Sequence, residues 1–563
     1  MKNKAYPLYP VPDYKTLKEL MTAGAEKYPD KPAFGYQIGE QVKYESFQKF
    51  MADVNALGTY FYDLGLKNGA KIAVMGENSY LWIVTYFAAA CGGNIIVPLD
   101  KELNEEEIRN LVDSSESVAV VYSDTYKNIF EKLSQKRTPL KTFLNMRYDV
   151  PATLEKGRQL IAGGRTDYIT YEINPVDTCV LIYTSGTTGL AKGVMLSHRS
   201  LMATLTTSHK LMLINGSTVL LLPIHHTYGM AGSVLSPMLH GQLCFINDSI
   251  KNVLRDIQTA KPQFLCVVPL YVESFHRNLW ANVKKQGKED ILRKLISVSN
   301  KTSKAGINLR PVLFKKVLAA FGGNLEVLVS GAAALDKMYY DEFHNFGIHI
   351  VEGYGITECS PIVSLNRNHH WKPGSVGLPC PGTDVQIFDV DPQTGHGEIC
   401  VRGDIVMNGY YNDPDATAEA MTGDWFRTGD MGYIDEDGFI YITGRKKNLI
   451  IRANGKNVHP EELEDKIKTI PEIGEVLVTG DKQKIIASIF INPEIEGGRA
   501  TENLIEKHIK AVNKELPTWK RVNKIEFRDT EFEKTTTKKI KRKPQISVNS
   551  AWHDIEVSEM ETN

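Results

Sequence analysis

Neither sign of charge is in excess: 66 Lys and Arg face 67 Asp and Glu over 563 residues, a formal net charge of −1. Such a balance sets up no long-range field toward nucleic acid or an anionic membrane, so partners must be recognised locally. Cysteine is scarce and unpatterned. The seven residues (91, 179, 244, 266, 359, 380 and 400) form no CxxC pair and mostly lie in apolar runs, which reads as reduced core residues of a cytosolic protein; zinc is not expected. No secretory leader is expected either, because prolines 7, 10 and 12 interrupt the N-terminal residues where an apolar stretch would be needed. Residues 211 to 247 contain no Lys, Arg, Asp or Glu, yet Asn215, Gly216, Pro223, His225, His226, Pro237 and Gly241 break them up. A membrane span needs ~20 predominantly apolar residues as one helix, so this stretch reads as core strand, site loop and buried helix. No internal repeat or low-complexity block is visible.

What is present is an α/β pattern on a chain too long for one core, since single cores stop growing at ~250–300 residues. Ile72 to Met75 reads as a strand, Leu81 to Cys91 as a helix closed by Gly92-Gly93, and Ile95 to Val97 as a returning strand. Further on, Phe314, Val317, Leu318 and Phe321 mark a helix face before Gly322-Gly323, and Leu325 to Val329 begins a strand that runs into Ser330-Gly331-Ala332. Beyond Gly374 short alternating segments with turns such as Asp437-Gly438 suggest a small β subdomain. From about Asn448 a separate α/β unit is expected, its first helix opened by Pro460-Glu461-Glu462.

The chemistry is concentrated in a few loops. Residues 183 to 193 read YTSGTTGLAKG, directly after the apolar run Cys179 to Ile182. Gly186 and Gly189 free the backbone to expose N–H groups, Thr184, Ser185, Thr187 and Thr188 add hydroxyls, and Lys192 adds a mobile positive charge. Those are the groups a nucleoside triphosphate needs. The loop is not the common P-loop, because Ala191 and Gly193 stand where that pattern requires Gly and Ser or Thr. A second cluster is Glu352-Gly353-Tyr354-Gly355-Ile356-Thr357-Glu358, placed after a strand at Ile348 to Val351; Glu358 replaces the third glycine of a dinucleotide fingerprint. Thr428-Gly429-Asp430, Pro223 to Gly229 with its two histidines, and the basic segment Lys534 to Arg542 complete the set.

Taken in this order along nearly the whole chain, these motifs resemble those of the adenylate-forming enzymes, the superfamily of acyl-CoA synthetases, peptide-synthetase adenylation domains and luciferases. The resemblance implies an α/β fold: a large N-terminal domain of two α/β lobes plus a small β subdomain (1–445), then a small mobile C-terminal α/β domain (446–545) and a tail (546–563). It implies ATP, Mg²⁺ and coenzyme A as cofactors and co-substrates. Thr184, Ser185, Gly186, Thr187, Thr188, Gly189 and Lys192 would hold the phosphates, with Gly331, Ala332, Tyr354, Gly355 and Thr357 around the adenylate. Tyr354 would stack on adenine, Thr357 would bond the α-phosphate, and Glu358 would hold Mg²⁺. Asp430 would bind the ribose, Arg445 would make a second ribose or phosphate contact, and His226 would stand beside the substrate carboxylate. Lys539 would be the reactive lysine, Lys447 the hinge, and Gly455 part of the thiol tunnel. The catalytic set is therefore Lys539, Lys192, Thr357, Glu358 and His226. The segment 397 to 417, GEICVRGDIVMNGYYNDPDAT, matches the family but reads as structural.

The expected reaction is ATP-dependent activation of a carboxylic acid, a medium- to long-chain fatty acid, to acyl-AMP with release of pyrophosphate, then transfer to the thiol of coenzyme A. The insertion at 271 to 324 resembles long-chain fatty acyl-CoA synthetases most. Two alternatives stay open: a ligase that loads an acyl carrier protein, and a non-catalytic nucleotide-binding protein. Expected partners are small molecules, with no nucleic acid and no transmembrane segment; the expected location is cytoplasmic, with loose membrane association left open.

Overall fold

The computed structural model describes residues 7–184, 191–453, 456–495, 497–534, 540–542 and 551–555. The chain divides into two compact units, Met1–Val385 with Val401–Phe426, and Gln386–Cys400 with Arg427–Asn563.

The first unit is built on three sheets. Its seven-stranded sheet runs, in spatial order, Gly409–Tyr410, Lys192–Ser197, Thr178–Thr184, Ile95–Pro98, Lys71–Met75, Ala119–Tyr122 and Thr142–Asn145. The five strands from Thr178 onward in that order are parallel, and the Lys192 strand pairs antiparallel with Thr178–Thr184. Helix Tyr80–Ala90 links two of the parallel strands; it is apolar on every face and buried along its length, with Ser79 capping its start. A helix of that composition is stable only inside a core.

A second sheet orders Phe264–Val267, Val327–Ser330, His349–Gly355, Ile362–Leu365 and Leu378–Pro379, the first three parallel. A third joins Gln41–Ser46, Pro32–Ile38, Cys244–Ile246 and Thr218–Leu220. Helix Pro269–Lys285 packs Val272 and Phe275 into the core shared by the last two sheets. Helix Glu289–Lys304 covers a satellite cluster around Phe314 and Phe346. All seven cysteines are buried and free.

The second unit carries an antiparallel hairpin of Trp425–Ile434 and Ile440–Arg445. Its four-stranded sheet is Ile473–Gly480, Ile485–Ile491, Lys524–Arg528 and Ala551–Asp554. Helices Pro460–Ile467 and Arg499–Lys514 bury Leu463, Ile467, Ile505 and Ile509 against it.

Two elements differ from the pattern read in the sequence. The strand expected at 348 to 351 runs to Gly355, because Gly353, Tyr354 and Gly355 pair antiparallel with Leu365, Ser364 and Ile362. The Thr428-Gly429-Asp430 triplet, a turn-like sequence, lies inside the ten-residue strand Trp425–Ile434. Gly and short polar residues lower strand propensity, and cross-strand pairing overrides it here. At Gly355 a side chain has no room, since a Cβ would stand 1.7 Å from the Pro361 carbonyl oxygen. Gly355→Ala is therefore expected to cost about 3 kcal/mol through forced backbone displacement. Urea unfolding followed by circular dichroism checks this; an unchanged midpoint contradicts it.

Candidate functional site

The strands Thr178–Thr184 and Lys192–Ser197 form a hairpin whose last pair is Thr184 with Lys192. Thr184 and Lys192 thus stand at the two feet of the glycine- and hydroxyl-rich loop, whose Ser185, Gly186, Thr187, Thr188 and Gly189 lie outside the described residues. After the hairpin the chain enters helix His198–Leu211, started by a reciprocal cap in which Ser197 Oγ accepts from the Ser200 N–H and Ser200 Oγ from the Ser197 N–H, each at 3.1 Å.

The Lys192 ammonium lies over the ring of Tyr410, 4.9 Å from its centroid. The Tyr410 hydroxyl donates to Glu358 Oε1 at 3.0 Å. Burial first, then the Glu358 charge, pushes the Tyr410 hydroxyl far above the ordinary phenol value, so it stays a donor. A cation on the ring face and an anion at its hydroxyl are thereby joined by one side chain.

Backbone contacts fix this arrangement. Gly409 and Tyr410 pair with Met195 and Val194 on the Lys192 strand. The Met407 N–H donates to the Glu358 carbonyl at 2.8 Å, and the Tyr410 N–H to Thr417 Oγ1 at 2.9 Å. No sequence signal singled out Tyr410, which sits in the segment 397 to 417 read as structural; its role emerges from the third-strand pairing. Glu358, half-buried on the one-turn helix Thr357–Cys359, offers a single carboxylate. Mg²⁺ is usually held by one or two carboxylates together with substrate phosphates, so this donor fits it.

Tyr354 and Gly355 end the strand His349–Gly355, and Thr357 follows, half-buried, two residues on. Gly331 and Ala332 follow the neighbouring strand Val327–Ser330. A Cβ on Gly331 would stand 3.2 Å from the Tyr228 ring, and Ala332 holds a left-handed φ of 73°. Non-glycine residues in that region cost energy and tend to mark functional turns. Tyr228 itself is tied to this strand, its hydroxyl donating to the Val329 carbonyl at 2.7 Å.

His226 precedes the short helix Thr227–Gly229, after strand Thr218–Leu220. Asn78, at the carboxyl end of strand Lys71–Met75, braces this loop: its Nδ2 donates to the Leu222 carbonyl at 2.9 Å and its Oδ1 accepts from the Ile224 N–H at 3.0 Å. The rings of His225 and His226 lie 4.2 Å apart. Both line a narrow, mostly apolar cavity with Pro98, Ile182, Leu201 and Ile224.

In the second unit, Asp430 and Arg445 face each other across the hairpin, with Arg445 Nε 2.7 Å from Asp430 Oδ1. Asp430 is buried, and its N–H donates to Thr428 Oγ1 at 3.0 Å. Asp430 and Arg445, two separate readings in the sequence, are thus one ion pair, and Arg445 Nη1 also donates to the Thr428 carbonyl at 3.3 Å. Lys447 lies in the one-turn helix Lys446–Asn448. Gly455 and Lys539 lie outside the described residues.

Residues 21–411 match the family model of the AMP-binding enzyme, and 447–549 that of the AMP-binding enzyme C-terminal domain. The chain is 32% identical over 472 residues to the long-chain-fatty-acid–CoA ligase FadD15 of Mycobacterium bovis, covering 80% of this chain and 78% of that protein. It is 28% identical over 578 residues to the long-chain-fatty-acid–CoA ligase of Escherichia coli O6:H1, covering 94% of each. Among solved structures, Mycobacterium tuberculosis fatty acyl CoA synthetase matches with a TM-score of 0.68 at 21% identity, over 94% of this chain and 97% of that one. The anthranilate CoA ligase AuaEII in complex with anthranoyl-AMP matches with 0.73 at 22% identity, over 96% and 97%. At those identities the structural likeness speaks for the fold. The chain belongs to the AMP-binding enzyme family.

Close to the expected reactive-lysine segment, Arg542 reaches the largely buried Glu464 and donates to the Val478 carbonyl at 3.1 Å. Burial pushes the Glu464 carboxyl up to about 7 even though Arg542 opposes the shift. A carboxyl raised on folding contributes stability that is present below its unfolded value, ~4.3, and is lost as pH rises through the folded one. Thermal midpoints recorded from about pH 5 to 8 are therefore expected to fall more steeply in the native chain than in Glu464→Gln; equal slopes contradict this.

Proposed function

We propose that this enzyme activates a fatty acid with ATP and passes the acyl group to coenzyme A. The observation that carries this reading is the linked Lys192, Tyr410 and Glu358, standing beside the loop whose sequence suits a triphosphate. A carboxylate cannot acylate a thiol directly, because its leaving group would be oxide. In the first half-reaction a carboxylate oxygen attacks the α-phosphorus of ATP and pyrophosphate leaves, giving the acyl-adenylate. In the second, the thiol attacks the acyl carbonyl and AMP leaves.

The first step brings two anions together, so the protein's task is to place positive charge and align the reactants. Lys192 supplies a fixed ammonium at the foot of the loop, and the Tyr410 ring holds it in place. The Tyr410 hydroxyl orients the Glu358 carboxylate by occupying one of its oxygens. Glu358 would hold Mg²⁺, which when bound would neutralise charge on the phosphate oxygens. Tyr354, with Gly331 and Ala332, is assigned to the adenine, Thr357 to the α-phosphate, and Asp430 with Arg445 to the ribose. His226 is assigned to the fatty-acid carboxylate, at the edge of the apolar cavity that it lines.

Lys539 is assigned to adenylation, Lys447 to the pivot of a C-terminal domain beginning after Arg445, and Gly455 to the path of the thiol. The names of the similar proteins, long-chain-fatty-acid–CoA ligases, support a long acyl chain and coenzyme A as acceptor; no comparable observation favours a carrier protein or a chain without catalysis. No helix among the described residues is long and apolar enough to cross a membrane.

The test is fatty-acid-dependent exchange of labelled pyrophosphate into ATP, followed by thioester formation with coenzyme A. Absence of exchange with every acid from acetate to long-chain fatty acids contradicts the proposal. Tyr410→Phe keeps the ring under Lys192 and removes the bond to Glu358, a bond to a charged group worth about 1.5–3 kcal/mol. Exchange is expected to fall roughly ten- to hundredfold; an unchanged rate removes Tyr410 from the site. Lys539→Ala is expected to abolish exchange while largely preserving thioester formation from supplied acyl-adenylate. Equal loss in both halves contradicts that assignment.

A further inference from the structure

We propose that Asp100, His225 and His226 form a second metal site, selective for a divalent transition metal such as Zn²⁺, and that zinc bound there inhibits the enzyme. The inhibitory part rests on the function proposed above; the site itself does not. One donor atom from each of the three side chains lies within 4.8 Å of the other two. His225 Nε2 already stands 3.4 Å from Asp100 Oδ1. That is about the spacing of two ligands on a tetrahedral zinc with bonds of roughly 2.0–2.2 Å. A modest rotation of the less buried His226 ring brings in the third.

A second observation points to a ligand. His225 is only 6% exposed, yet its buried Nε2 has no hydrogen-bond partner among the described residues. A buried polar nitrogen left in this way carries a cost that a metal ion removes.

The surroundings are built for ligation. Asp100 follows strand Ile95–Pro98, and its Oδ1 also accepts from the Glu102 N–H at 2.9 Å, an outer contact that orients the carboxylate. The two histidines sit on the loop braced by Asn78. Two imidazoles and one carboxylate suit Zn²⁺, whereas Mg²⁺ prefers an all-oxygen shell, so the chemistry differs from that of Glu358. Three protein ligands leave a fourth position open. Zinc held there withdraws His226 from the carboxylate assigned to it, and a fatty-acid carboxylate entering the cavity becomes a candidate fourth ligand.

The experiment uses the full chain. Zinc is titrated calorimetrically in the presence of excess Mg²⁺, and crystals soaked in zinc are measured at its absorption edge. One tight zinc per chain is expected, with an anomalous peak among Asp100, His225 and His226, and at least tenfold weaker binding in Asp100→Asn and in His225→Gln. Binding retained in both variants overturns the site, as does a peak only elsewhere, for example at the exposed His369. Zinc is further expected to suppress pyrophosphate exchange in the native enzyme, with Asp100→Asn active without zinc and needing at least tenfold more metal for the same suppression. Saturating zinc without effect on exchange overturns the inhibition. If the native enzyme shows no exchange with any acid, the proposed function fails, and the calorimetry and diffraction still decide the site.

Discussion

An ammonium held on the face of an aromatic ring, with a carboxylate bonded to the hydroxyl of that same ring, is the contact on which the proposed phosphate site depends. Lys192 and Glu358 are 166 positions apart in the chain. Tyr410 gives them a common support. An ammonium left loose on a flexible stem would spend much of its time in solvent, and restraining it by the ring lowers the ordering cost that remains when a triphosphate arrives.

The fold exists in large part to make that contact. A parallel α/β sheet with strand Ile95–Pro98 and its neighbours at the centre is extended at one edge by two antiparallel additions. The first is the return strand that carries Lys192, and the second is the two-residue strand that carries Tyr410. Around the other two sheets, the left-handed Ala332, the cramped Gly331 and the half-buried Tyr228 show how closely the histidine loop and the strand before Gly331 are packed. Close packing of this kind transmits small displacements between the histidine loop and the strand before Gly331 without needing a separate relay.

Much of this was legible in the sequence, for reasons that can be named. The loop before Lys192 announced itself by Gly and hydroxyl residues after an apolar run, and that run lies in strand Thr178–Thr184. Helix-start signals are legible because capping is local, as at Ser197, whose hydrogen bonds reach only its own neighbours. Pro460 opened a helix for the same kind of reason. What could not be read depended on contacts between distant positions. Tyr410 lies in a segment whose local pattern is unremarkable, and its place beside Lys192 comes from pairing with a strand more than 200 residues earlier. Asp430 and Arg445 were recognisable singly, whereas their union as an ion pair follows from the register of a hairpin. Asn78 and Asp100 stand at the ends of parallel strands, where ligand sites gather, and carried no motif of their own.

The account stands or falls on where a triphosphate lies. A crystal structure with Mg²⁺ and a non-hydrolysable ATP analogue measures this directly. The phosphates are expected between the Lys192 ammonium and the Glu358 carboxylate, with the metal on Glu358 and the Tyr410 hydroxyl still bonded to it. Phosphates bound away from Lys192, with the Lys192, Tyr410 and Glu358 contacts unchanged and facing solvent, would contradict it.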